Sequence, residues 1–363
     1  MQIKTLEDLY THEAKSADAA GLSYSTDEAP GITRQKSGTG FRYFTPTGRP
    51  LIDTKKQNWV KSLVIPPAWT DVWISPDPYN HLLVTGRDDK DRKQYMYHPK
   101  WRETRDLLNF YRLVLFGDNL PTIRRRVNKA LEEKHLCQEK VTAVIINIID
   151  QTYIRIGNEV YAEANESYGI TTMRNEHVTV KGSHLKFEFV GKSGKEHVVE
   201  IDDLQLAKIV KACLDVEEDH LFSYADEDGI AWGVTSEEVN AFLRESTELD
   251  FTAKSFRTWG GTLTTYEYLL AETKKPSDKK TKKVINEAIE ATAEVLGNTK
   301  AVSKAHYIHP HLVASYENGT FESYLKKLPE LKSKPNITLR EQELIEILKM
   351  LFEDEWKKVR ILA

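Results

Sequence analysis

VTVKGSHLKFEFVGKSGKEHVVEI, residues 178–201, is the stretch whose reading decides the fold. Val178 and Val180 alternate with polar neighbours, and Leu185, Phe187 and Phe189 alternate with Lys186 and Glu188. Gly191-Lys192-Ser193-Gly194 has turn composition, after which His197, Val199 and Ile201 alternate again. A period of two with glycine at the reversals predicts a three-stranded antiparallel meander. On both sides the period changes. Apolar residues recur at three-and-four spacing over Asp106–Phe116, Pro121–Leu136 and Lys140–Tyr153 before it. They do so again over 203–213, 236–246, 257–271, 284–296 and Leu339–Val359 after it. Such spacing puts one apolar stripe on a helix. A small sheet set in helices is therefore expected, and Gly297 reads as the C-terminal stop of the 284–296 helix.

Upstream of about residue 105 the composition is different. Phe41-Arg42-Tyr43-Phe44 runs into the turn Thr45-Pro46-Thr47-Gly48, and 81–86 and 93–98 read as strands joined by the charged loop RDDKDR. Pro66-Pro67, Pro76-Asp77-Pro78 and the tryptophans Trp59, Trp69 and Trp73 suggest a compact, loop-rich β region. The expected fold class is α+β. A small β-rich N-terminal domain spans 1–105, with a polar, acidic and partly mobile leader at 1–30. A mainly α-helical catalytic domain containing the small three-stranded sheet spans 106–363. A chain of 363 residues with 40% hydrophobic content is long enough for two or three such cores.

The net charge of −4 conceals an uneven distribution. Residues 1–30 hold two lysines against six acids, whereas residues 31–105 hold fourteen Lys and Arg against seven Asp and Glu, a balance of +7. The remainder is acidic again. A basic block of this kind suits a polyanion, although a solvated basic surface has the same composition. A run of six lysines within 274–283 reads as a basic linker or the start of a helix. No stretch of about 18 apolar residues occurs, so no membrane-spanning helix is expected. The first residues lack the apolar core of a secretory leader. Two distant cysteines, Cys137 and Cys213, argue against both a disulfide framework and a cysteine zinc site, and for a reducing cytoplasmic setting.

Several residues carry chemistry. Lys93, Tyr95 and Tyr97 share one face of a strand, where a cation and two phenols are donors suited to phosphates. A core-packed aromatic face is the other reading. Arg155 lies between Ile154 and Ile156 at the end of a long apolar run; it could grip a phosphate bidentately or close an ion pair with Asp150 or Glu159. Lys192 stands at a hairpin tip, where a mobile turn could bring it into a cleft as a proton donor. Arg257 opens a helical stretch. Tyr307 lies among His306, His309 and His311, whose spacing fits no zinc pattern. Sixteen tyrosines occur, so position alone singles out none.

Taken in order, these blocks form a set: RIGNEVY from Arg155, FVGKSGK around Lys192, KSFRTWGG around Arg257, Gly297-Asn298-Thr299, and Tyr307 nine residues after Asn298. With IPPAWTDVWI at 65–74 and TGRDDKDRKQYMYHPKW at 85–101, the chain from about 32 to 320 resembles the type IB DNA topoisomerases of the bacterial and poxvirus branch. The resemblance implies a C-shaped clamp on duplex DNA. It implies a nucleophile at Tyr307 that forms a 3′-phosphotyrosyl link, stabilising cations at Arg155 and Arg257, and a proton donor at Lys192. It also implies DNA contacts at Lys90, Lys93, Gln94, Tyr95, Tyr97 and Tyr161, and relaxation of supercoils by controlled rotation and religation without ATP, metal or other cofactor. A monomer acting in the cytoplasm, associated with the nucleoid, is expected.

Three departures stand out. Asn298 occupies the place of the poxvirus histidine, so that position can donate a hydrogen bond but carries no charge. Asp91 stands where relatives often have glycine, and Ser255 where many have aspartate. Gln94 faces away from Tyr95 in an ideal pleat, so a base contact from it needs a bent or edge strand. The alternatives are a tyrosine recombinase, which typically has His-x-x-Arg where this chain has Lys254 before Arg257, and a non-catalytic DNA-binding protein, which would be expected to have lost Tyr307 or an arginine.

Overall fold

The computed structural model describes residues 9, 12–159, 162, 166–216, 218–273 and 280–361. The chain divides into two compact units, residues 1–112 with 352–363, and residues 113–351.

The first unit is built on a five-stranded antiparallel sheet. Its strands are β1 (Ile32–Ser37), β2 (Gly40–Phe44), β3 (Thr70–Ile74), β4 (Leu82–Arg87) and β5 (Lys93–Tyr97), in the order β2-β1-β3-β4-β5. Ile32, Val72, Ile74, Leu83 and Val84 bury one core with Leu51 and Val60. The Arg34 guanidinium donates to the carbonyls of Ile65, Pro66 and Trp69 at 3.2, 3.0 and 2.6 Å, which satisfies the backbone of the proline loop. The loop-rich expectation misses one helix, Thr54–Ser62, started by Asp53, whose side chain accepts from the N–H groups of Lys55 and Lys56. Its apolar stripe is short, with Val60 alone fully buried, so periodicity gave little signal.

The leader also differs from expectation. Its described part is anchored: helix Glu13–Ala19 packs Ala17, Ala20 and Leu22 against Trp101, and Tyr24 stacks on His81 with centroids 4.5 Å apart. Asp27 pairs with Lys93 at 2.7 Å and accepts from Thr85 at 2.9 Å. Small alanines bury little area each, so a polar composition concealed a packed segment.

The two helices expected over 106–136 are one, Pro99–Leu131, running through Pro121. Proline removes one donor and crowds the carbonyl four residues back, at a cost of about 3 kcal/mol. Leu113, Val114, Phe116, Leu120, Ile123 and Val127 are buried on either side of it, and each such burial is worth about 1.5–3 kcal/mol. The boundary between the units falls inside this helix.

In the second unit, helix Gln138–Thr152 buries Val141 to Ile146 with Ile148 and Ile149 and ends at Tyr153, which is left-handed at φ 56°. The meander forms as read: β6 (Val178–Lys181), β7 (His184–Gly191) and β8 (Lys195–Asp202), with Phe187 opposite both Val178 and Val199. Leu185, Phe187 and Phe189 face the core. Helices follow at Leu204–Leu214, Ser236–Thr247, Ala253–Thr273, Thr281–Val295, Lys300–His306, Pro310–Glu317, Phe321–Lys326 and Leu339–Ile361, with a small hairpin of Ser223–Ala225 and Ala231–Gly233. Residues 274–279 of the lysine run lie outside the described residues.

Candidate active site

Arg155 is held by its backbone. After Tyr153 the chain leaves the helix, and the short 3-10 helix Ile170–Thr172 docks on it: Ile170 N–H donates to Arg155 O and Thr171 N–H to Ile156 O, both at 2.8 Å. The approach is so close that a Cβ at Gly169 would lie 2.3 Å from Gly157 N. Asp150 pairs instead with Arg124, at 2.6 Å, and Glu159 with His220, at 3.4 Å. Among the described residues no carboxylate neutralises Arg155. Its Nη2 donates to Asn298 Oδ1 at 2.6 Å and its Nη1 to the Tyr307 hydroxyl at 3.2 Å.

Arg257 sits in the second turn of helix Ala253–Thr273 and is 5% exposed. It donates to the carbonyls of Tyr153 and, at 2.8 Å, Leu296, and to Asn298 Oδ1 at 3.4 Å. Its guanidinium carbon lies 5.1 Å from the centroid of the Tyr307 ring. The following Gly260-Gly261 explains the rest of the block. A Cβ at Gly260 would stand 2.3 Å from the Tyr153 ring, and one at Gly261 2.6 Å from the Tyr307 carbonyl oxygen. Thr262 then donates to that carbonyl at 3.3 Å. Tyr307 ends helix Lys300–His306, with its N–H on Ser303 O at 3.0 Å and its side chain 6% exposed. Asn298 follows Gly297, whose φ of +63° ends helix Thr281–Val295 as the glycine stop anticipated.

The electrostatics follow from this packing. Burial raises the Tyr307 phenol, but Arg155 and Arg257 together outweigh it, leaving its pKa below the ordinary phenol value. Burial beside Arg155 pushes the Arg257 guanidinium down to about 10. With two guanidinium donors on Oδ1, the Asn298 amide can only be oriented with Nδ2 outward; the reverse would set donor against donor. Asn298 Nδ2 and Arg257 Nε are both buried without an acceptor among the described residues. Each such donor costs about 1–3 kcal/mol, which is tolerable where an anion is to be bound.

Four of the five anticipated catalytic residues, Arg155, Arg257, Asn298 and Tyr307, thus meet. Lys192 does not touch them: it is exposed in the 3-10 turn Lys192–Gly194 at the β7–β8 tip. Its neighbour Gly191 lines a cavity of about 110 Å³ shared by Arg155 and Arg257. On the first unit, Lys90 lies in the turn before β5, an edge strand. Lys93 is paired with Asp27, Gln94 donates to Asp88 at 2.9 Å, and Tyr95 and Tyr97 stack at 6.0 Å. Tyr161 lies outside the described residues. Asp91 has φ +57°, the left-handed region that favours glycine and that Asp tolerates. Ser255 accepts from Thr252 N–H at 3.3 Å, serving the helix start rather than Arg257. Three contributors went unread: the Tyr153 and Leu296 carbonyls, which no side-chain motif signals, and His197, signalled only by glycines at 191 and 297.

Two family profiles match this chain. "Eukaryotic DNA topoisomerase I, catalytic core" covers residues 98–334, and "Bacterial DNA topoisomerase IB, N-terminal domain" covers residues 40–88. DNA topoisomerase 1B of Acanthamoeba polyphaga mimivirus is 34% identical over 296 residues, 80% of this chain and 88% of the relative. DNA topoisomerase 1B of Vaccinia virus (strain Copenhagen) is 23% identical over 268 residues, 72% and 82% of the two chains. A solved XerH site-specific recombinase bound to difH substrate aligns at TM-score 0.33 with 16% identity over 53% of this chain and 49% of that one, a likeness too slight to carry weight.

Proposed function

We propose that Tyr307 is the strand-breaking nucleophile of this chain, which belongs to the type IB DNA topoisomerases. Its activity is the relaxation of supercoiled duplex DNA. In the proposed step Tyr307 Oη bonds to the scissile phosphorus, and the bond to the 5′-oxygen breaks. The phenol gives up its proton to solvent water, and the departing 5′-oxygen takes one from Lys192. A phenol with pKa near 10 is only about 0.1% ionised at neutral pH, so attack needs the help that Arg155 and Arg257 provide. As the phosphorane-like transition state gains charge, both guanidinium groups and Asn298 Nδ2 donate to its non-bridging oxygens. The energy of the broken bond is kept in the phosphotyrosyl link, so religation needs neither nucleotide nor metal.

The observation that carries this reading is the convergence of two guanidinium groups on Asn298 Oδ1, one of them also on the buried Tyr307 phenol, with two buried donors left for an anion. The edge strand with Lys93, Gln94, Tyr95 and Tyr97, and the turn with Lys90, are proposed to contact the duplex. One chain holds every group named, so the enzyme is proposed to act as a monomer, in the cytoplasm that its two free cysteines suit. The test is plasmid relaxation in EDTA without ATP. The wild type is expected to relax the plasmid and to be trapped as a covalent adduct at residue 307, and Tyr307→Phe to do neither. Relaxation by Tyr307→Phe would remove the nucleophile.

A further inference from the structure

Among the described residues, His197 is the one imidazole lining the cavity that Arg155 and Arg257 share, beside Tyr168, Gly191 and Gly297. It stands on β8 opposite Phe189, with which it stacks at 5.1 Å between centroids and 11° between planes. Its two edges meet two glycines. Cδ2 and Nε2 come within 2.7 and 2.8 Å of where a Cβ would stand at Gly191. Cε1 and Nδ1 come within 2.4 and 3.1 Å of where one would stand at Gly297. Neither position has room for a side chain, so the ring lies flush on both backbones. These glycines are also the immediate neighbours of functional residues: Gly191 precedes Lys192 and Gly297 precedes Asn298. One rigid ring therefore spaces the hairpin carrying the proton donor from the loop carrying the phosphate-facing amide. Burial, Lys195 and the two arginines hold the imidazole below its ordinary pKa, so it is neutral and adds no charge to the cavity.

We propose that His197 is a positioning residue, a strut between Gly191 and Gly297 that sets the reach of Lys192 to the leaving 5′-oxygen. The proposal rests on the function given above. A strut acts through ring shape, so His197→Phe should retain it and His197→Ala should lose it. It also acts on one step only, delivery of a proton to the leaving oxygen.

The test is single-turnover cleavage of two duplexes, one with the natural 5′-oxygen and one with a bridging sulfur at the scissile phosphate. A thiolate leaves without a proton donor, since thiol pKa values lie near 8.5, far below that of an alcohol. His197→Ala is expected to cleave the oxygen duplex about 10²-fold more slowly than the wild type, the scale of loss for an ångström-sized misplacement. On the sulfur duplex it should return close to the wild-type rate, as Lys192→Ala should. His197→Phe should stay near the wild type on both. Equal slowing of His197→Ala on both duplexes, as misfolding or a displaced arginine would produce, overturns the strut. So does a His197→Ala enzyme of normal speed, or a His197→Phe enzyme as slow as alanine, which would put the role in a ring nitrogen. Failure of the wild type on both duplexes overturns the parent reading instead.

Discussion

Tyr307 sits between opposed influences, burial that disfavours its anion and two guanidinium groups that favour it, and the cations prevail. The sign of its pH dependence follows. A lowered phenol pKa means that the phenolate appears at lower pH than for an ordinary tyrosine; with Tyr307 as the proposed nucleophile, the cleavage rate is expected to climb through that lowered value. Arg155→Ala removes one of the two cations and a hydrogen bond at 3.2 Å. The acidic limb of the single-turnover cleavage profile is expected to move to higher pH, with a loss of about 10²–10³ in the maximal rate. Arg155→Lys should keep much of the position of the limb while losing the two-pronged donation. A limb unmoved in Arg155→Ala would mean that the arginine does not govern phenol ionisation. In the linear chain Arg155 stands out because an arginine between two isoleucines is rare. Its choice of partner was undecidable there, since Asn298 and Tyr307 lie more than 140 positions away.

Among the secondary-structure elements, a buried ion network supports the cluster from behind. Arg124, on helix Pro99–Leu131, donates to Asp150 at 2.6 and 2.9 Å and to Glu341 at 2.8 and 2.9 Å. Asp150 lies three residues before Tyr153, whose carbonyl holds Arg257, and Glu341 accepts from Trp259 Nε1 at 3.4 Å. Arg124→Met would leave two mostly buried carboxylates without a cation, and the urea midpoint should fall by the equivalent of about 3–5 kcal/mol. A change under about 1 kcal/mol would show that the pair is solvated as a surface pair is. The strands and most helices were legible because their periods are local. The helix through Pro121 and the helix at Thr54–Ser62 were not, because burial by distant residues overrode a proline in one and a short apolar stripe in the other.

For the whole molecule the question is how a chain of net charge −4 holds a polyanion. The +7 balance of residues 31–105 is proposed to supply the attraction, but part of it is already engaged: Lys93 is bound to Asp27 of the acidic leader at 2.7 Å. Duplex binding would exchange that carboxylate for a phosphate. The logarithm of the association constant should fall linearly with the logarithm of salt concentration, and Lys93→Ala should reduce the slope by about one. An unchanged slope would place Lys93 away from the phosphates.

Periodicity, glycine stops, the early basic block and the ordered Arg, Lys, Arg, Asn and Tyr were all present in the linear chain. Each depends on neighbours a few residues apart or on residue chemistry that needs no partner. Folding alone decided which groups meet. Asn298 became the shared acceptor of two arginines, Asp150 was drawn to Arg124 rather than Arg155, and a histidine became wedged between two glycines. Those outcomes depend on ångström-scale approach between segments far apart in the chain, where desolvation makes one pairing favourable and its rivals costly.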